Sequence, residues 1–326
     1  MRNQKPLTRR GILSELSSLY DPLGFLAPVV LTAKMILQEL CKKQVGWDEA
    51  VDDDIAARWT EWLSELNELN KISLERCYFP EGFKRENIQL HHFADASQSG
   101  YGAVSYLRVT DGHRVHCAFI IGKARLAPQK SITIPRLELT AATVAVRLDE
   151  MIKDELQVPI HQTYFWTDST TVLQYIRNET KRFKTFVANR LTTIHDSTSP
   201  FQWRYVNTEL NPGDIASRGL RPADVRGVHH WHRVSEFLWN NESGWPVQPV
   251  NVPLINMNDL EVKKEVAVNA TMKILPLDEF VTWFSTLNRL QRATAWLLRF
   301  KAFCCNHFLG KSYELNSSSD LSVSEH

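Results

Sequence analysis

The sequence predicts an α+β fold, a mixed β-sheet with helices on its faces, and three observations carry that expectation. Residues 88–121 alternate short apolar runs with turn residues, which reads as an antiparallel meander. After it, helical patterns at three-and-four spacing interrupt two further short runs, Thr163–Thr167 and Phe201–Val206. The 326 residues are 43% hydrophobic, enough for a sizeable core.

The first 80 residues read as helical. Asp21-Pro22-Leu23-Gly24 breaks the chain, Pro28 suits a first helical turn, and the apolar run Val29–Leu40 follows. Trp59, Trp62, Leu63, Leu66 and Leu69 mark the face of a second helix. Asp52-Asp53-Asp54 precede that face with no flanking strand, so they fit a helix N-terminus better than a catalytic pair.

The strands expected next are Ile88–Ala94, Tyr101–Val109 and Val115–Ile121, with turns at Ser99-Gly100 and Asp111-Gly112. Pro135 opens a long amphipathic helix through Leu137, Ala141, Val144, Leu148 and Ile152. Thr163–Thr167 is the fourth strand. Val172, Tyr175 and Ile176 mark a short helix, Phe183, Val187, Leu191 and Ile194 another, and Phe201–Val206 the fifth strand. A last short helix starts near Asp214, giving the order βββαβααβα. Residues 221–275, with Trp231, Trp239 and Trp245, read as a packed extension, and a helix is expected from about 278 to 303. The Ser- and Glu-rich end has the composition of a disordered tail.

The formal charge of +1 gives no global attraction to nucleic acid, so any such binding must come from local basic patches. Five scattered cysteines argue against a disulfide framework. Cys304-Cys305 with His307 lacks zinc-site spacing, and His229, His230 and His232 around Trp231 read as a loop cluster. No run of about eighteen apolar residues and no signal-peptide pattern is present. The expectation is an intracellular protein, cytoplasmic or nuclear, without a membrane partner.

Four acids stand at chain-reversal points of the central segment. Asp95 ends the first strand, Asp168 ends the fourth, Glu138 lies in the first turn of the long helix, and Asp214 opens the last one. Each has a structural explanation when taken singly, as a turn residue, an N-cap or a helix-terminal acid. Together they fall at the junctions of one sheet. If strands one and four are neighbours, four carboxylates meet, and they repel one another unless cations neutralise them. Hard oxygen ligands suit Mg²⁺ or Mn²⁺, and two such ions about 3.5–4 Å apart serve in-line displacement at phosphodiesters.

Four motifs, FADAS at 93–97, IPRLELTAA at 134–142, WTDS at 166–169 and NPGDIASRG at 211–219, resemble a retroelement ribonuclease H domain. LSSLYDPLGFLAPVVLTAKMILQEL at 16–40 and GWDEA at 46–50 resemble the region after the polymerase palm of BEL/Pao-type retrotransposon polyproteins. Residues 288–300 resemble the segment preceding the integrase of that family. The resemblance implies four parts. These are a helical segment at 1–85 like a reverse-transcriptase thumb or connection, a ribonuclease H-like domain at 86–220, a Trp-rich extension with a helix at 221–310, and a tail at 311–326.

By the same resemblance, Asp95, Glu138, Asp168 and Asp214 are the catalytic, metal-binding acids of an endoribonuclease that uses two Mg²⁺ or Mn²⁺ ions. Its substrate is the RNA strand of an RNA–DNA hybrid. Ser97, Gln98, Ser169 and Asn211 are expected to donate to the hybrid, and Arg177, Lys181, Arg182 and Lys184 to contact its backbone, with Lys123, Arg125 and Arg218 as further candidates. The chain departs from the family in two ways. It has no histidine between Arg204 and Asp214, the nearest upstream being His195, and it lacks a basic helix-loop insertion. No palm Asp pair, protease triplet or integrase zinc pattern is present, so the chain reads as a fragment or decayed copy whose reverse-transcriptase and integrase partners lie elsewhere. The alternatives are an inactive ribonuclease H-like scaffold and a transposase of the same sheet type. The position of Glu138, between the third and fourth strands, disfavours the transposase.

Overall fold

The central strand is decided by burial on both of its faces. In a computed structural model, β1 (Asn87–Ala96) keeps every residue from Ile88 to Ala96 buried. It pairs antiparallel with β2 (Gly100–Asp111) and parallel with β4 (Gln162–Thr167). β3 (Arg114–Leu126) and β5 (Trp203–Tyr205) complete a mixed five-stranded sheet of order β3-β2-β1-β4-β5. The structure describes residues 5–112, 114–249, 255–256, 259–263, 281, 283–284 and 286–308. The expected tail at 311–326, and most of the first turns of the helix expected from about 278, lie outside them.

Side chains alternate across the sheet, so the residues of β1 divide between two cores. Leu90 and Ala94 join the face covered by α4 (Ile134–Glu155), α5 (Thr170–Ile176) and α6 (Thr185–Ser197). Phe93, with Trp166 of β4, joins the opposite face, where α2 (Ala27–Lys42), α7 (Gly213–Arg218) and α8 (Val225–His232) pack. Asp95 shares the parity of Phe93, and Asp168 that of Trp166. Phe93 pairs directly with Trp166. Two residues further along each strand, both acids reach the same end of the sheet.

Helix α2 belongs to two cores at once. Its Leu31 enters the sheet core, while Val29, Ala33, Ile36 and Leu40 pack with α1 (Arg9–Ser17) and α3 (Asp53–Glu65). The turn before it is fixed by Asp21, whose two carboxylate oxygens accept from the Phe25 and Leu26 N–H groups at 2.9 Å. Gly24 takes φ +74° there, and a Cβ on it would stand 1.9 Å from the Gly122 carbonyl oxygen. Only glycine lets this turn lie against β3. The helical segment and the sheet thus share one unit, Met1–Lys264, and Glu265–His326 forms another that contains helix α9 (Leu287–Phe308).

Three local expectations are corrected. His229, His230 and His232 lie on α8, not in a loop, because Asp224 caps the helix by accepting from Gly227 N–H and Val228 and Trp231 share its buried face. β5 is shorter than the apolar run suggests: Pro200–Gln202 forms a 3₁₀ turn and Phe201 is 92% exposed. Phe183 stands outside α6, bridging to Val262. The Asp52–Asp54 run does open a helix, α3. No helix among the described residues is long and apolar enough to cross a membrane.

Candidate active site

Asp95 lies at the end of β1, aimed at α7. Ser217 Oγ donates to its Oδ2 at 2.6 Å, and Ser97 Oγ in turn donates to the Ser217 carbonyl at 2.7 Å. Burial, then the negative charge of Asp168, raise the Asp95 carboxyl to about 7; Asp214 adds to this, while Ser217 and the Ala96 N–H oppose it.

Asp168, one residue past β4, accepts from Thr208 Oγ1 at 2.6 Å and from Asn211 Nδ2 at 3.4 Å. Asn211 also donates to the Ala94 carbonyl at 3.3 Å and accepts from Gly213 N–H, which ties the start of α7 to β1. Gly213 makes this approach feasible, since a Cβ there would stand 3.1 Å from the Asp95 nitrogen. Asp214 follows, half-buried in the first turn of α7, and Arg218 Nε one turn on donates to its Oδ1 at 2.6 Å.

Glu138 approaches from the α4 side. Ser169 Oγ donates to its Oε2 at 2.6 Å while accepting from Val172 N–H as the N-cap of α5. Burial raises the Glu138 carboxyl, with Asp168 adding to the shift and Ser169 opposing it. Asp168 is therefore the acid whose charge both Asp95 and Glu138 feel.

The carboxylates are not drawn onto a single point. Among the described residues, no three His, Cys, Asp or Glu side chains are placed to hold an ion as they stand. Each acid has turned instead to a donor of its own: Ser217, Thr208, Ser169 or Arg218. The chemistry of the set still suits a divalent ion. All four offer hard oxygen ligands, and a cation would relieve the neighbouring negative charge that, after burial, raises the Asp95 and Glu138 carboxyls.

The residues expected to touch substrate divide. Gln98 is exposed at the β1–β2 turn, whereas Ser97, Ser169 and Asn211 are committed to internal bonds. Arg177, Lys181, Arg182 and Lys184 lie beyond α5, which carries the chain about 10 Å from Asp168. The backbone of Arg182 and Lys184 pairs with Lys263 and Glu261. His195 Nε2 binds the Ile176 carbonyl at 2.9 Å, so this imidazole closes the end of α5. Among the small residues after Asp95, Gly100 serves packing. Gly100 is buried, and a Cβ on it would stand 2.9 Å from the Ser217 carbonyl oxygen and 3.1 Å from Leu31 Cδ2, so the space is filled by α7 and α2. The sequence expectations do not include Ser217 or Thr208, and they place Arg218 on the hybrid backbone rather than on Asp214; the i+3 and i+4 spacing of Ser217 and Arg218 to Asp214 is the signal for both.

Residues 8–169 match the family model of the Pao retrotransposon-like RNaseH-like domain. Similar solved structures include LC11-RNase H1, isolated from compost by a metagenomic approach and crystallised in complex with an RNA/DNA hybrid. It has 12% identity over 38% of this chain and 88% of that one, with a TM-score of 0.24. RNase H1 from the halophilic archaeon Halobacterium salinarum has 12% identity, over 39% and 90%, at 0.24. The N-terminal RNase H domain of a Mycobacterium tuberculosis protein has 13% identity, over 44% and 98%, at 0.25. No curated protein matches the sequence.

Proposed function

We propose, for a chain whose residues 8–169 belong to the Pao retrotransposon-like RNaseH-like domain family, that it is a divalent-cation-dependent endonuclease cutting the RNA strand of RNA–DNA hybrids. The observation that carries this reading is the placement of Asp95, Asp168 and Asp214 at the adjoining ends of β1, β4 and α7. There the charges of Asp168 and Asp214 act on the buried Asp95.

Asp95, Glu138, Asp168 and Asp214 are the residues that would hold the cations. A bound pair of Mg²⁺ or Mn²⁺ ions supplies activation of the attacking water and neutralisation of the leaving 3′-oxygen. The protein contributes the rigidity. Ser217 fixes the orientation of Asp95, and Asn211 holds Asp168 beside Ala94. Arg218 must surrender Asp214 Oδ1, which frees an exposed guanidinium for a phosphate of the substrate. The polymerase and integrase regions of a parent polyprotein are the proposed partners.

The Arg218–Asp214 pair, with no ready ion-holding group among the described residues, favours a second reading, a non-catalytic ribonuclease H-like scaffold. Hybrid cleavage decides between them. The intact chain should release cut RNA in Mg²⁺ or Mn²⁺, and Asp168→Asn should abolish the cut. Cleavage that persists in the variant, or an intact protein inert in Mn²⁺, overturns the nuclease reading. Calorimetric titration with Mg²⁺ should give binding that disappears with the acids.

A further inference from the structure

Helix α2, whose Leu31 reaches the start of β2 beside this site, carries a basic residue one turn on. At the start of β2, a Cβ on Gly100 would meet the Arg125 carbonyl oxygen at 2.8 Å, the Ser217 carbonyl oxygen at 2.9 Å and Leu31 Cδ2 at 3.1 Å. The end of β3, α7 and α2 therefore converge one hydrogen bond from Asp95. Lys34 follows Leu31 by about one helical turn. With Lys123 and Asp21 it lines a cleft of about 380 Å³ between α2 and β3. Further along, Gln38 Nε2 donates to the Ala127 carbonyl at 2.7 Å, so α2 follows the end of β3 past the cleft.

Lys34 and Lys123 line this cleft, and the charge of Arg125, two residues along β3 from Lys123, also reaches Lys34. Lys34, Lys123 and Arg125 form no ion pair with any described residue, and Lys123 Nζ reaches only the Pro22 carbonyl at 3.0 Å. The Lys34 ammonium is lowered, first by burial and then by Lys123 and Arg125, and Asp21 alone opposes this. Asp21 already has both oxygens engaged by Phe25 and Leu26 N–H. Holding like charges together in a half-buried cleft costs free energy that an anionic ligand recovers. Beside a carboxylate site that handles a phosphodiester chain, the anion at hand is the next stretch of that chain.

We propose that Lys34, Lys123 and Arg125 form a phosphate-binding subsite that extends the hybrid groove from the carboxylates onto the N-terminal helices. The proposal rests on the nuclease reading above and names the part of the molecule that grips the duplex backbone. Lysine and arginine here contact phosphates and read no bases, so the grip is independent of sequence. The basic residues beyond α5 are not needed for it.

Fluorescence anisotropy with a labelled RNA–DNA hybrid tests this, in an Asp168→Asn background and over a range of salt. Lys34→Gln, Lys123→Gln and Arg125→Gln should each weaken binding several-fold. Each should also flatten the slope of log K against log salt by about 0.7–0.9 for every phosphate no longer neutralised. Lys34→Met keeps the aliphatic stem against α2 and should weaken binding like Gln, whereas Lys34→Arg should restore it. A folded triple variant with unchanged affinity and slope overturns the subsite. Cleavage by the intact chain, measured in parallel, separates the two ideas: an unchanged slope in an active protein sinks the subsite alone, and a reduced slope in an inactive one sinks the nuclease reading alone.

Discussion

Replacing Asp95 by asparagine should abolish cleavage and yet stabilise the protein, by an amount that grows with pH. The Asp95 carboxyl is lifted from 3.8 to about 7 by burial and by Asp168. A carboxyl with a raised folded-state pKa binds its proton more tightly when folded. Stability is therefore highest below the unfolded value and falls as pH rises towards the folded one. The full difference corresponds to about 4 kcal/mol, an upper bound for an acid coupled to two others, and most of it, about 2–3 kcal/mol, falls between about pH 5 and pH 8. Asparagine carries no charge and can still accept from Ser217 Oγ, which lies 2.6 Å from Oδ2. Urea unfolding of both proteins at about pH 5 and pH 8 should show the variant's advantage larger at the higher pH by about 2–3 kcal/mol. Millimolar Mg²⁺ should narrow the gap at pH 8 by stabilising only the wild type. A variant destabilised equally at both pH values would refute the electrostatic account of Asp95.

Arg218→Ala should lower the Mg²⁺ concentration needed for half-maximal cleavage several-fold, because it removes the guanidinium held against Asp214 Oδ1. An unchanged Mg²⁺ requirement in a cleavage titration excludes Asp214 from the cation site. Gly102→Ala places a methyl 2.2 Å from the Lys123 carbonyl oxygen and 2.9 Å from Ala216 Cβ, pushing α7 and Asp214 outward. It should cost about 1–3 kcal/mol in chemical denaturation and most of the activity, and full activity at wild-type stability removes the packing argument. Asp149→Ala strips the partner from buried His92 and should cost about 3–5 kcal/mol, with cleavage per folded molecule retained. A destabilisation below about 1 kcal/mol would show that the pair contributes no more than an exposed one.

The frame of the sheet was legible because burial leaves a periodic mark. The apolar residues Ile88, Leu90, Phe93 and Ala94 and the Ser-Gly turn after them mark the first strand, and β4 is recognisable once the long helix before it is seen. The sequence leaves the pairing of strands one and four as a condition; β1 and β4 do pair, and Asp95 and Asp168 lie at their adjoining ends. Polarity in a loop does not say which way a side chain turns, however. Ser97 and Asn211 read as donors for a ligand and are spent on Ser217 and Ala94. Lys34 is not singled out by the sequence, because only the packing of α2 on β3 brings it to Lys123. The α8 helix was hidden by its histidines, whose side chains gave a metal-like signal while the cap at Asp224 and the Val228–Trp231 spacing carried the structural one.

Position along a strand separates the carboxylates with chemistry to offer from those without. His92 Nδ1 lies 2.7 Å from Ser105 Oγ, and its Nε2 lies 3.2 Å from Asp149 Oδ1, an order of groups that resembles a hydrolase triad. All three are buried in mid-element, at 0%, 0% and 2% exposure, so no substrate atom can approach the hydroxyl. Lys153 Nζ at 2.7 Å completes the charge balance of Asp149. Burial works to raise the Asp149 carboxyl, but His92 and Lys153 together hold it below its ordinary value, in the sense opposite to Asp95. One acid has its counter-charge built into the fold and locks β1 and β2 to α4. Asp95 sits three residues beyond His92 on β1, at the end of the sheet, where the negative charges of Asp168 and Asp214 add to burial in raising it and its hydrogen-bond donor is the neutral Ser217 hydroxyl.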